Sequence, residues 1–165
     1  MTWFSAKRTS SAVVTADRER VWAQLSDPDA VAAMTPLVRR IEVDGDHWRW
    51  SMDEVPGVGV SLAPAFTVRM EADEPRRIAF THDPPAGSRE RAGVDGTYVL
   101  TEHPEGTLLD IELEVRVELP LSKLAKPAVK AAMDGVLASM GRGFGRALLA
   151  RLDAREVDAR EVDAG

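Results

Sequence analysis

Residues 109–119 read LDIELEVRVEL. Leu109, Ile111, Leu113, Val115, Val117 and Leu119 take every second position, and Asp110, Glu112, Glu114, Arg116 and Glu118 fill the gaps. Neighbouring side chains of a strand point to opposite faces, so this segment has one apolar face and one charged face. Wound as a helix, the same residues would show no stripe at all. A strand wet on one side and buried on the other belongs to an antiparallel sheet with a single covered face.

Working back from this strand, the same alternation recurs. Val94, Tyr98 and Leu100 share a face, as do Ile78, Phe80 and His82. A further strand is predicted over 58–71, with Phe66, Val68 and Met70 on one face and Pro64 marking a bulge or bend. Gly45-Asp46 suits a two-residue hairpin turn, which sets Val43 opposite Trp48 and Ile41 opposite Trp50. Arg39 has the parity of Ile41 and Val43. The chain opens with a strand over 3–15. Asp17 then caps a helix over 18–25, and Asp27-Pro28 starts a second short helix that stops before Pro36.

Downstream, Val129, Met133, Val136, Met140, Phe144 and Leu148 recur at helical spacing within 121–152. Pro127 lies early in this helix or kinks it, and Gly141, Gly143 and Gly145 weaken one turn. Residues 153–165 are polar, repeat AREVD, and read as a frayed tail. Strands grouped apart from a terminal helix mean an α+β fold. A curved antiparallel sheet of six or seven strands is expected to wrap around the long C-terminal helix, in one domain spanning 1–152.

Composition narrows the function. At 165 residues the chain suits one domain, and its net charge of −6 argues against nucleic acid as a partner. Without cysteine, disulfides and thiolate chemistry are excluded. MTWFSAKRTS lacks the apolar core of a signal peptide, and no run reaches the ~20 apolar residues of a membrane span. A cytoplasmic location is expected.

The run SAVVTADRERVWAQLSDPDAVAAMTPLVRRIEVDGDHWRW resembles the START-like, or SRPBCC, helix-grip superfamily, which includes polyketide cyclase/dehydrase and lipid transport proteins. The pattern "VW..LSDP", then "P.V..IE..GD.W", carries the likeness. GTYVLTEHPEGTLLDIELEV and the long final helix fit it too, so that it covers roughly residues 9–152. The resemblance implies a hydrophobic cavity between sheet and helix. Members bind lipids, sterols, polyketides, quinones or hormones, and some are cyclases.

Given such a cavity, parity assigns its lining to Trp48, Trp50, Phe66, Phe80, Tyr98, Val129, Met133 and Val136. Alanines at 125, 128 and 132 are expected to leave it room. His82, Tyr98 and Arg39 are the candidate polar groups, Arg39 as an anchor for a ligand carboxylate or phenolate. His47, His82 and His103 are scattered and lack metal-ligand spacing, so no metal and no cofactor are expected. GRGFG at 141–145 follows no strand and reads as close helix packing rather than a nucleotide loop. The expected function is binding or carriage of a small apolar molecule. The alternatives are a cyclase/dehydratase working through these polar groups, and an accessory protein for a larger partner.

Overall fold

The computed structural model describes residues 1–55 and 61–157. The elements follow the predicted order through the long helix: β1 (Thr2–Val14), α1 (Arg18–Leu25), α2 (Pro28–Met34), β2 (Val38–Asp44), β3 (His47–Met52), β4 (Ala65–Asp73), β5 (Arg77–His82), β6 (Ala92–His103), β7 (Gly106–Leu119) and α3 (Lys126–Leu152), and a short β8 (Glu156–Val157) comes after it. Asp17 and Asp27 cap α1 and α2 as expected, accepting from the Arg20 and Asp29 amides. Pro127 lies in the first turn of α3, which runs unbroken through its glycines for 27 residues.

The strands form one antiparallel sheet in the order β2-β3-β4-β5-β6-β7-β1-β8. Six strands run as a meander, and β1 closes it by pairing along its whole length with β7. The hairpin register is the one read from the sequence, Ile41 opposite Trp50 and Val43 opposite Trp48. Val43 is nonetheless 52% exposed, because it lies near the tip of the hairpin.

Two expectations need correction. Among the described residues the sheet has eight strands rather than six or seven. The extra one begins inside the stretch expected to fray: Glu156 and Val157 pair with Val14 and Val13, and the Arg155 amide donates to the Thr15 hydroxyl. A left-handed Asp153 (φ 49) turns the chain back from α3 to make this possible. Residues 158–165 of that tail lie outside the described residues. So do 58–60 of the strand predicted over 58–71, whose described part begins at Ala65.

Helical spacing turns the stripe of α3 that carries Met133, Val136, Met140 and Phe144 toward the sheet. Val129, Met133, Leu148 and Leu152 are buried, but Val136, Met140 and Phe144 are only half-buried. The helix lies closest to β1 and stands off from the strands beyond it. The core closes at the two ends of α3, while its middle faces open space.

Candidate functional site

That space is a cavity of about 220 Å³. The roof is Met133, Val136, Leu137, Met140 and Phe144 of α3. The floor comes from the inward faces of the strands, including Trp50 and Met52 of β3, Phe66 and Val68 of β4, Phe80 of β5, and Tyr98 of β6. Pairing explains why these side chains meet. Trp50 sits opposite Phe66, Ile78 opposite Tyr98, and Phe80 opposite Gly96. Gly96 carries no side chain, and the Phe80 ring lies where its Cβ would be, 2.7 Å away. Trp50 and Phe66 stack with centroids 5.8 Å apart, and Phe80 and Tyr98 meet at 5.3 Å with rings tilted by 57°.

Six of the eight expected lining residues therefore border the cavity: Trp50, Phe66, Phe80, Tyr98, Met133 and Val136. Trp48 and Val129 do not; both are buried in the core. Trp48 points inward as parity requires, but the cavity lies toward the Met52 end of β3. Val129 sits one helical turn before the roof begins. Ala125, Ala128 and Ala132 do not line it either. The room comes from the stand-off of α3, not from alanines.

The polar candidates fare differently. Tyr98 is half-buried and borders the cavity. Burial pushes its hydroxyl up to about 12. Tyr98 is the single tyrosine of the chain, so alkaline absorbance titration reads it alone. The folded protein should give no tyrosinate signal at its ordinary value of 10. Folded Tyr98 holds its proton more tightly than the unfolded chain does, so its contribution to stability is complete below 10 and is lost between 10 and about 12. A tyrosinate transition near 10 in protein still folded by circular dichroism would contradict the burial.

His82 keeps the parity of Phe80 and pairs with Val68, but does not line the cavity. Its Nε2 lies 3.0 Å from Oε1 of Glu90, which also accepts from the Thr67 amide and hydroxyl, both at 2.8 Å. The ring occupies the place that a side chain at Gly93 would take. This network ties the loop between β5 and β6 to β4. His47 ties the same loop to β3: its Nε2 lies 2.8 Å from Asp83, whose hydrogen bond raises the imidazole above 6.5, with help from Asp46. His103 accepts from the Glu105 amide within its turn.

Arg39 does not point inward. It is exposed and pairs with Asp53 at 3.2 Å. Val38 lies opposite Met52 and Arg40 opposite Ser51, so Arg39 is the extra residue of a bulge. A bulge reverses parity on one side of itself, and Val38 takes the inward place.

Among the described residues, three polar ones beyond those candidates border the cavity: Arg8, Ser10 and Thr35. Phe4, Ala6, Arg8 and Ser10 share a face of β1, opposite Val117, Val115, Leu113 and Ile111. That parity was the available signal. Gly141 of α3 faces this arginine: a Cβ there would stand 3.3 Å from its Nε. Gly143 receives Pro36 in the same way, its Cβ position 2.5 Å from the ring, whereas Gly145 has open space. The GRGFG turn is thus shaped by close packing at two of its three glycines.

Electrically the site is nearly bare. Among the described residues, apart from Arg8, Ser10, Thr35 and Tyr98, its walls are apolar side chains and glycine. The Trp50 indole nitrogen is buried with no hydrogen-bond partner among the described residues. Among those residues no cluster of His, Asp and Glu could hold a metal ion, and no helix is long and apolar enough to cross a membrane.

Residues 5–155 match the model of a family described as polyketide cyclase / dehydrase and lipid transport. No curated protein matches the sequence. Among solved structures, the di-domain aromatase/cyclase StfQ of the steffimycin biosynthetic pathway superposes with a TM-score of 0.68 at 14% identity. That match covers 91% of this chain and 51% of StfQ, so the chain spans about half the length of that protein. TTHA0849 from Thermus thermophilus gives 0.63 at 21% identity, covering 91% and 99%. The aromatase/cyclase ZhuI from Streptomyces sp. R1128 gives 0.61 at 16% identity, covering 92% and 94%. At these identities the likeness is one of fold, and the fold is the helix grip.

Proposed function

This chain belongs to the polyketide cyclase / dehydrase and lipid transport family, and from that premise we propose that it binds a small, mainly apolar molecule with an aromatic part beneath α3. The observation that carries the reading is the gap itself. Protein interiors pack to high density, and an unfilled void costs stability. Here about 220 Å³ stays open between walls that are almost entirely apolar. A ligand would offset that cost. The Trp50–Phe66 stack and the Phe80–Tyr98 pair present ring faces and edges. Met52, Met133 and Met140 are adaptable walls.

A fitting ligand should quench tryptophan fluorescence and raise the melting temperature, by about 2.7 kcal/mol of stabilisation at a hundredfold excess over Kd. Trp50→Leu should weaken binding. Trp48→Ala should act on stability instead, since Trp48 is core. Native mass spectrometry of gently purified protein would name a co-purifying class directly. A panel of lipids, quinones and aromatic polyketides that moves neither signal would defeat the reading, and the accessory role for a larger partner would replace it.

One observation favours a second reading. Tyr98 borders the cavity and burial keeps its hydroxyl neutral, so a hydroxyl turned to a ligand could donate to a carbonyl or enolate oxygen. That is a group a cyclase/dehydratase could use. Recovery of the ligand chemically unaltered from wild-type protein, as from Tyr98→Phe, would favour carriage over catalysis.

A further inference from the structure

We propose that Arg8 binds the carboxylate of the ligand at the mouth of the cavity, so that the natural occupant is an amphipathic organic acid and not a neutral molecule. This rests on the reading that the cavity is a ligand site. The described chain has three half-buried arginines: Arg8, Arg18 and Arg116. Arg18 reaches Glu102 at 3.4 Å, and Arg116 reaches Asp95 at 2.7 Å. Arg8 has no carboxylate within 4.0 Å and no side-chain hydrogen bond among the described residues. A guanidinium keeps its charge, and holding one partly out of water without an anion is costly. The fold nevertheless aims it at an apolar cavity.

The surroundings leave its donors free. Gly141 is exposed and offers no side chain above the guanidinium. Ser10, on the same face of β1, is also exposed and borders the cavity, which places this end at the solvent mouth. The acids of β7 cannot serve, because Glu112 and Glu114 alternate with Ile111, Leu113 and Val115, which line the cavity. The planar fork of arginine matches a carboxylate with two parallel hydrogen bonds. A molecule with its carboxylate on Arg8 and its body toward Trp50 and Tyr98 would meet each wall with its own kind of chemistry.

The test uses two matched pairs on the full chain: decanoate against 1-decanol, and 2-naphthoate against methyl 2-naphthoate. Affinities come from calorimetry, and each variant is also melted without ligand. Wild type should prefer the acid of each pair by at least about tenfold, the factor that one charge-assisted hydrogen bond of ordinary strength supplies. Arg8→Gln should abolish that preference and leave the neutral partner's affinity within about threefold, and Arg8→Lys should keep part of it. Without ligand, Arg8→Gln should melt no lower than wild type, because the cation has no protein partner to lose. Equal binding of acid and neutral probe by wild type would overturn the assignment while leaving the cavity reading intact. So would a fall in both affinities together, or a ligand-free variant that melts well below wild type. If no probe binds wild type, both readings fall. Decyl phosphate binding more tightly than decanoate would overturn the carboxylate in favour of a phosphate headgroup.

Discussion

Replacing Gly106 by alanine should cost more than about 3 kcal/mol of stability, which places it among the severe single substitutions. Gly106 opens β7 at φ +143, a conformation that residues with a side chain rarely adopt. An added Cβ would stand 2.1 Å from the Val14 carbonyl oxygen, 2.9 Å from the Ala16 nitrogen and 3.0 Å from the Thr15 Cα. All three are backbone atoms of the bend where β1 leaves the sheet for α1, so no side chain can swing aside. The bend cannot move as a unit either. Val14 pairs with Thr107, the Ala16 amide donates to the Val14 carbonyl at 2.8 Å, and the fully buried Thr107 hydroxyl donates to the Ala16 carbonyl at 2.7 Å. Gly135→Ala is the control. It lies in α3 with open space around it, and should gain up to about 1 kcal/mol from helix propensity. Urea unfolding of the two variants decides the matter. A loss below about 1 kcal/mol for Gly106→Ala would show that the bend has slack, since relieved strain of this kind is worth at least that much.

The second large effect separates the true core from the cavity wall. Leu100 is 1% exposed on β6 and packs within the continuous core. Leu100→Ala should cost about 2–5 kcal/mol, from lost transfer energy and from a void in well-packed surroundings. By helical spacing alone Phe144 looks like an equal core residue, and its truncation would fall in the range usual for buried phenylalanine. Yet Phe144 is half-buried and already borders empty space. Its ring has few neighbours on the cavity side to lose, so Phe144→Ala should cost less than Leu100→Ala and should change ligand affinity more. Denaturation of both variants, with and without a binding probe, tests this. If Phe144→Ala proved the more destabilising, α3 would have to close onto the sheet in solution, and the cavity would be absent.

The parts legible in advance were those where local spacing and fold agree. Alternation over 109–119 specifies a strand with one wet face. Asp17 and Asp27-Pro28 specify the starts of two helices, and Gly45-Asp46 specifies a hairpin with its register. Each depends on residues within a few positions of one another. The same locality explains why Trp50, Phe66, Phe80 and Tyr98 border the cavity, since strand parity gives the facing of a side chain once the covered side is known.

What lay beyond the sequence depends on distances between elements. Parity places Trp48 and Trp50 on one face, yet only Trp50 reaches the cavity, because where α3 stands off is set by packing at its two ends. Parity also turns Arg39 inward until a bulge, which leaves no mark in the spacing of apolar residues, turns it out. The polar stretch after 152 reads as a tail until Asp153 reverses the chain and β1 offers an unpaired edge for Glu156 and Val157. Arg8 shows the two kinds of information together. Its place on the inward face of β1 follows from the sequence, because a strand has a period of two. That no acid meets it follows only from the tertiary structure, because pairing charges requires knowing which elements lie side by side, and that is decided by how the sheet curves around its helix.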